Sequence, residues 1–139
     1  MTADDTTIDW DTVAAGDDLP TISQTATLAT SVAYAGASGD LNPLHYDPEV
    51  AAEVSPTGGI IAHGMFSMGL ASRVLTAWAG GPEHVLRLEA RFTRPWPLGE
   101  ECTIGGSVRE VHDDRVVVTL WVRNADGKPL LRGQGVVVR

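Results

Sequence analysis

The sequence predicts an α+β domain in which one curved antiparallel sheet wraps around a buried central helix. Three observations carry this. From residue 65 to residue 79 nearly every position is apolar or small, with Ser67, Ser72, Arg73 and Thr76 as the polar exceptions. A helix apolar nearly all round belongs in a core. After Gly80-Gly81-Pro82 the chain reads as strands to its end. Before the helix only residues 19–27, rich in Thr and Ile, read as a strand. One early strand, a helical middle and four late strands bury their apolar faces most simply as a sheet around one helix.

The elements follow in order. Residues 1–9 lack a hydrophobic period and read as a flexible N-terminal tail, with the domain running from 10 to 139. Ala15-Gly16-Asp17-Asp18 reads as a turn. Over residues 28–37, Leu28, Val32 and Ala35 have helical spacing, and Gly36 and Gly39 mark the end. Asp47-Pro48-Glu49 is an N-cap followed by proline at the first helical position, starting a short helix to about residue 53. Ser55-Pro56-Thr57-Gly58-Gly59 is a loop rich in breakers.

Among the late strands, Leu86, Leu88, Ala90 and Phe92 alternate with Arg87, Glu89, Arg91 and Thr93, a period of two that Pro95 and Pro97 interrupt. Residues 103–111 form the next strand and His112-Asp113-Asp114 a turn. Val116, Val118, Leu120 and Val122 share one face of the third. Asp126-Gly127 is a hairpin signal into residues 130–138. A sheet of this size leaves an edge or a face uncovered, which suggests a dimer that extends it.

The whole-chain properties exclude several classes. At 139 residues one domain is expected. The net charge of −8 argues against nonspecific nucleic-acid binding. No apolar run reaches membrane-spanning length, and the acidic start is unlike a secretory signal. The lone Cys102 fits a reducing, cytoplasmic setting and reads as a packed thiol. No zinc-finger spacing or phosphate-binding glycine loop occurs, so neither a metal nor a bound cofactor is expected.

Chemistry concentrates in two stretches. In Gly39-Asp40-Leu41-Asn42-Pro43-Leu44-His45, a loop shaped by proline brings Asp40 and His45 close enough to share one water or hydroxyl, as acid–base catalysis requires. Asn42 can brace the loop through its backbone. Alone, the pair reads rather as a capping Asp and a surface His in an ordinary turn. The second stretch, Gly59 to Met65, contains Ile61-Ala62-His63-Gly64-Met65 and changes that balance.

Together with Tyr34-Ala35-Gly36-Ala37-Ser38 before Asp40, these stretches resemble the MaoC-like, or R-specific, enoyl-CoA hydratase family of hot-dog folds. In look the chain is nearest to actinobacterial (3R)-hydroxyacyl dehydratase catalytic subunits. The resemblance covers residue 19 to the C-terminus and implies reversible hydration of trans-2-enoyl thioesters to (R)-3-hydroxyacyl thioesters. It implies that Asp40 and His45 hold the water, with the division into base and acid left open. It also implies that the Gly64 N–H faces the thioester carbonyl, that Ser72 orients Asp40, and that Asn42 and His63 support the loop. The acyl chain would run past Tyr34, Met68 and Leu75, with the nucleotide outside near Arg87, Arg91 or Arg94. The substrate would be an acyl-CoA or an acyl carrier protein thioester. The implied assembly is a homodimer, or a heterodimer with a related hot-dog subunit. The alternatives are a partner-dependent subunit of a heterodimeric dehydratase, or a repurposed enzyme on the same fold such as an acyl thioesterase or a specialised-metabolite dehydratase.

Overall fold

The computed structural model describes residues 7–139. Residues 1–6 of the segment read as a tail lie outside the described residues. Its remainder is attached: the Ile8 N–H donates to the Trp78 carbonyl at 2.7 Å, and Ile8 packs on the core.

The chain runs β1 (Ile22–Thr25), α1 (Leu28–Ser38), a 3-10 turn (Pro43–His45), α2 (Pro48–Val54), α3 (Gly64–Ala79), a second 3-10 turn (Pro82–His84), then β2 (Val85–Phe92), β3 (Glu101–Val111), β4 (Arg115–Asn124) and β5 (Pro129–Val138). All five strands form one antiparallel sheet in the order β1-β3-β4-β5-β2. The early strand therefore pairs with β3 across most of the chain, and β1 and β2 are the two edges. The expected strand over 19–27 contracts to Ile22–Thr25, with Asp18 bridging separately to Ser107.

The sheet curves around α3. Leu70, Ala71, Val74, Leu75, Trp78 and Ala79 point into the core, against Ile104, Val116, Val118, Leu120, Val122, Leu131 and Val137 from the strands. The helix is not buried all round. Met65, Gly69, Arg73 and Ala77, spaced four apart, form an exposed stripe, because a single sheet covers only part of a helical cylinder. Helix and sheet approach closely at Gly135, where a Cβ would lie 2.6 Å from Leu75 Cδ2.

Two local expectations change. Gly36 lies inside α1; the helix ends at Ser38 and Gly39 alone caps it, at φ 76°. Along β2 the alternation breaks, because the register against β5 shifts between Val85 and Arg87. Leu88 and Ala90 pack on the core, whereas Leu86 and Phe92 are 66% and 47% exposed.

Cys102 is a packed thiol. Burial, with Glu100 and Glu101 nearby, pushes it up to about 12. The thiolate is the reactive form, so at pH 8 about one molecule in 10⁴ carries it. Iodoacetamide should leave Cys102 unmodified in the folded protein and label it once denatured, as intact-mass measurement would show.

Candidate active site

The Asp40 loop is built by its own sequence. Gly39 ends α1 in the left-handed region, its N–H donating to the Ala35 carbonyl at 3.0 Å. The Asp40 N–H then donates to Ser38 Oγ, and the Asn42 N–H to Asp40 Oδ1 at 3.3 Å. Asn42 is the predicted brace: its Oδ1 accepts from the Leu44 N–H at 3.1 Å and caps the 3-10 turn that ends on His45. The Tyr46 hydroxyl donates back to the Leu41 carbonyl at 2.7 Å. Asp47 caps α2 as expected, accepting from the Glu49 and Val50 N–H groups. The loop is thus held at both ends.

The second stretch is fixed by strand-like contacts. Ile61 bridges to Pro97, and the Ala62 N–H donates to the Trp96 carbonyl at 2.8 Å. These bonds set His63 as the N-cap of α3 and Gly64 as its first residue. They also aim the Ile61 carbonyl at His45, whose Nδ1 lies 2.7 Å away.

That contact decides a tautomer. A carbonyl only accepts, so His45 Nδ1 carries a proton, and in the neutral imidazole Nε2 presents a lone pair. His45 Nε2 lies 4.0 Å from Asp40 Oδ2. Two acceptors at this spacing do not bond each other, but one water can donate to both. Two hydrogen bonds of about 2.8 Å at the angle of a water molecule place their acceptors about 4.4 Å apart. His45 is buried, while the Asp40 side chain is 53% exposed. The pair therefore reaches from the interior to the surface.

His63 ties the two stretches together. It is 2% exposed, its ring stacks on His45 with centroids 3.8 Å apart, and its Nε2–H donates to the Asp40 carbonyl at 3.1 Å. Tyr34 packs on its other neighbours, 4.9 Å from the His63 ring and 5.7 Å from that of Phe66.

A cleft of about 340 Å³ opens beside these groups, lined by His45, His63, Gly64 and Ser67 together with Phe92, Trp96 and Leu130. Gly64 sits at the helix start, where no side chain caps α3. First-turn N–H groups lack intrahelical partners and lie at the positive end of the dipole. A Cβ on Gly64 would come within 3.3 Å of Phe92 Cδ1, so the ring borders the glycine directly.

The structure thus brings together Asp40, His45, Asn42, His63 and Gly64. Ser72 is not joined to Asp40 by a hydrogen bond among the described residues; Ser67 is the serine on the cleft wall, its Oγ donating to the Gly64 carbonyl at 2.6 Å. Tyr34, Met68 and Leu75 are not on the cleft wall either. Leu75 is fully buried under the sheet, and the apolar wall comes instead from Ile61, Phe92, Trp96 and Leu130. Of the three named arginines, Arg94 lines the cleft and Arg87 pairs with Glu89. Phe92 was missed because only the fold brings it to Gly64; Pro95 and Pro97, which stop β2 beside the α3 start, were the available signal.

Fold and site define a hot-dog domain with an aspartate and a histidine facing each other at the edge of an apolar cleft. The chain belongs to the MaoC-like domain family: the family model described as a MaoC like domain matches residues 12–126. It is 32% identical over 112 residues to the (R)-specific enoyl-CoA hydratase of Aeromonas caviae, covering 78% of this chain and 83% of that protein. It is 36% identical over 92 residues to 3-hydroxyacyl-thioester dehydratase Y of Mycobacterium tuberculosis, covering 65% of this chain but only 31% of that protein. The chain thus spans under a third of that relative. Among solved structures, the (R)-hydratase from A. caviae involved in PHA biosynthesis superposes with a TM-score of 0.82 at 28% identity, over 91% of this chain and 96% of that one. The ChsH1-ChsH2 complex from M. tuberculosis gives 0.80 at 25% identity, over 92% and 100%. No helix among the described residues is long and apolar enough to cross a membrane.

Proposed function

We propose that this chain catalyses the reversible hydration of trans-2-enoyl thioesters to (R)-3-hydroxyacyl thioesters. The observation that carries the reading is the 4.0 Å spacing of Asp40 Oδ2 and His45 Nε2 beside an apolar cleft that ends on the open N-terminus of α3. One water held by both atoms attacks C3, and one member of the pair takes its proton. The pair then returns a proton to C2, so no net proton remains on the enzyme. Charge develops on the thioester oxygen as the enolate forms, and the Gly64 N–H at the uncapped start of α3 is the donor proposed to stabilise it. No group other than water and thioester enters the balance. The names of the A. caviae and M. tuberculosis relatives agree with this chemistry.

Arg94 lines the cleft and is the side chain proposed to meet the carrier's phosphate. The edge strand β2, with the exposed Leu86 and Phe92, offers a second copy an unpaired ladder, so a homodimer with a continuous sheet is the assembly proposed. A related subunit could occupy the same edge in a heterodimer.

The purified chain should consume the enoyl absorbance of crotonyl-CoA without releasing free thiol. Thiol release with the double bond retained would instead favour the thioesterase reading. Mass in solution reads the assembly. Gly64→Ala should lower kcat/KM by about 10²-fold with little change in thermal stability, because the methyl enters the space beside Phe92 where the carbonyl must approach.

A further inference from the structure

We propose that the outer face of the sheet, turned away from α3, docks an acidic acyl carrier protein that delivers the thioester to the cleft. The proposal rests on the hydratase reading. On this face the register lines up Arg91 on β2, Arg132 on β5, Trp121 on β4 and Gly105 on β3 as one row of cross-strand neighbours. The next row sets Pro129 on β5 opposite Arg123 on β4. The Trp121 ring packs over Gly105, where a Cβ would come within 2.7 Å of it. The Arg123 guanidinium stacks on that ring, 4.2 Å from the centroid. Stacking holds the guanidinium plane and leaves its N–H edges free for carboxylates.

Charge and layout point to this occupant. Arg87 pairs with Glu89, Arg109 with Glu110, Arg115 with Asp114 and Arg139 with Asp11. Arg91, Arg123 and Arg132 are exposed and pair with no carboxylate among the described residues. Arg91 and Arg132 stand directly opposite each other, a like-charge pair that weakens a sheet. In a chain of net charge −8, these clustered cations are complementary to an acidic partner. They spread over three strands, about 10 Å, on an open face, whereas small ligands take concave sites. The strand spacing of about 4.8 Å is close to the roughly 5–6 Å between side chains one turn apart on a helix. An acidic helix laid across the strands thus meets the three arginines in turn, and Trp and Arg are the types that dominate protein interfaces. The face also adjoins the cleft. Pro129 lines the outer groove with Trp121, Arg123 and Arg132, while its neighbour Leu130 lines the cleft. Arg94, on the cleft wall, donates to the Pro129 carbonyl at 3.0 Å. A carrier seated on the arginines therefore has its thioester arm beside Arg94. Pairing of a second copy along β2 covers that edge and leaves this face open.

The test compares crotonyl-loaded acyl carrier protein with crotonyl-CoA as substrates of the full chain and of the double variant Arg123→Glu, Arg132→Glu. In the double variant the KM for the carrier-bound thioester should rise by about tenfold or more with kcat unchanged. The constants for crotonyl-CoA should stay as in the wild type. Glu at position 132 would face Arg91 and pair with it, so the thermal midpoint should not fall. Arg115→Glu, at the start of β4 beside Asp114, is the control and should alter neither substrate. Calorimetric titration with holo acyl carrier protein reads docking without turnover. It should show one carrier per chain, bound about tenfold or more weakly by the double variant. Equal losses with both thioesters would make the face a nucleotide site and overturn the proposal. Losses with neither, or no binding of the carrier protein to the wild type, would overturn it as well. Arginine-dependent carrier binding by a chain that hydrates neither thioester would uphold the docking surface and remove the hydratase reading instead.

Discussion

Asp40→Asn and His45→Gln are each expected to lower kcat for crotonyl-CoA hydration by about 10²–10⁴-fold, the range that general acid–base groups contribute. The two should differ in what else they disturb. Asp40 is half exposed, and the Asn42 N–H can still bond an amide oxygen, so Asp40→Asn should keep wild-type thermal stability. His45 is buried, bonded to Ile61 and stacked on His63. His45→Gln should therefore also cost stability, by about 1–3 kcal/mol if the Ile61 carbonyl loses its donor. Because the two groups act on one water, the double variant should be scarcely slower than the worse single one. Multiplicative losses in the double variant would mean that they serve separate steps.

The second large effect concerns the seat of α3 on the sheet. Leu75→Ala should destabilise the fold by about 2–5 kcal/mol, since Leu75 is fully buried at the centre of the helix–sheet contact. Gly135→Ala should destabilise it by about 1–3 kcal/mol through overpacking, because the new methyl would sit 2.6 Å from Leu75 Cδ2 and 3.1 Å from Val118 Cγ2. Truncating Leu75 removes the closer obstacle. The double variant should therefore be more stable than the sum of the single losses, by about 1 kcal/mol or more. Denaturant unfolding of the three variants checks this, and additive losses would show that the methyl is relieved elsewhere.

What the sequence made legible divides along physical lines. Local chemistry spoke clearly. Asp47-Pro48 started α2, Asn42 braced its turn, and the alternation of Val116, Val118, Leu120 and Val122 gave the inner face of β4. The Asp40–His45 loop and the His63-Gly64 helix start could be paired through the family resemblance, and the structure brings them within hydrogen-bonding range of one another. Non-local geometry was not readable. Phe92 alternates with inward residues in sequence, yet the register shift near Val85 and the end of the strand leave it against Gly64 rather than in the core. Leu75 and Met68 suggested an acyl path because they lie on the central helix. The sheet closes over Leu75, and the cleft opens about two turns nearer the helix start, beside Ser67. Which side of a buried helix a cleft occupies depends on how far the sheet wraps, a property no single segment carries.

The most direct test of the central claim, that Asp40 and His45 deliver a water to C3 of an enoyl thioester, is to run crotonyl-CoA hydration in heavy-oxygen water. The product is then resolved by chiral chromatography and mass spectrometry. The account predicts one labelled oxygen, at the C3 hydroxyl of an intact (R)-3-hydroxybutyryl thioester, incorporated at least about 10²-fold more slowly by Asp40→Asn. Label in a free carboxylic acid, or an S-configured product, would contradict it.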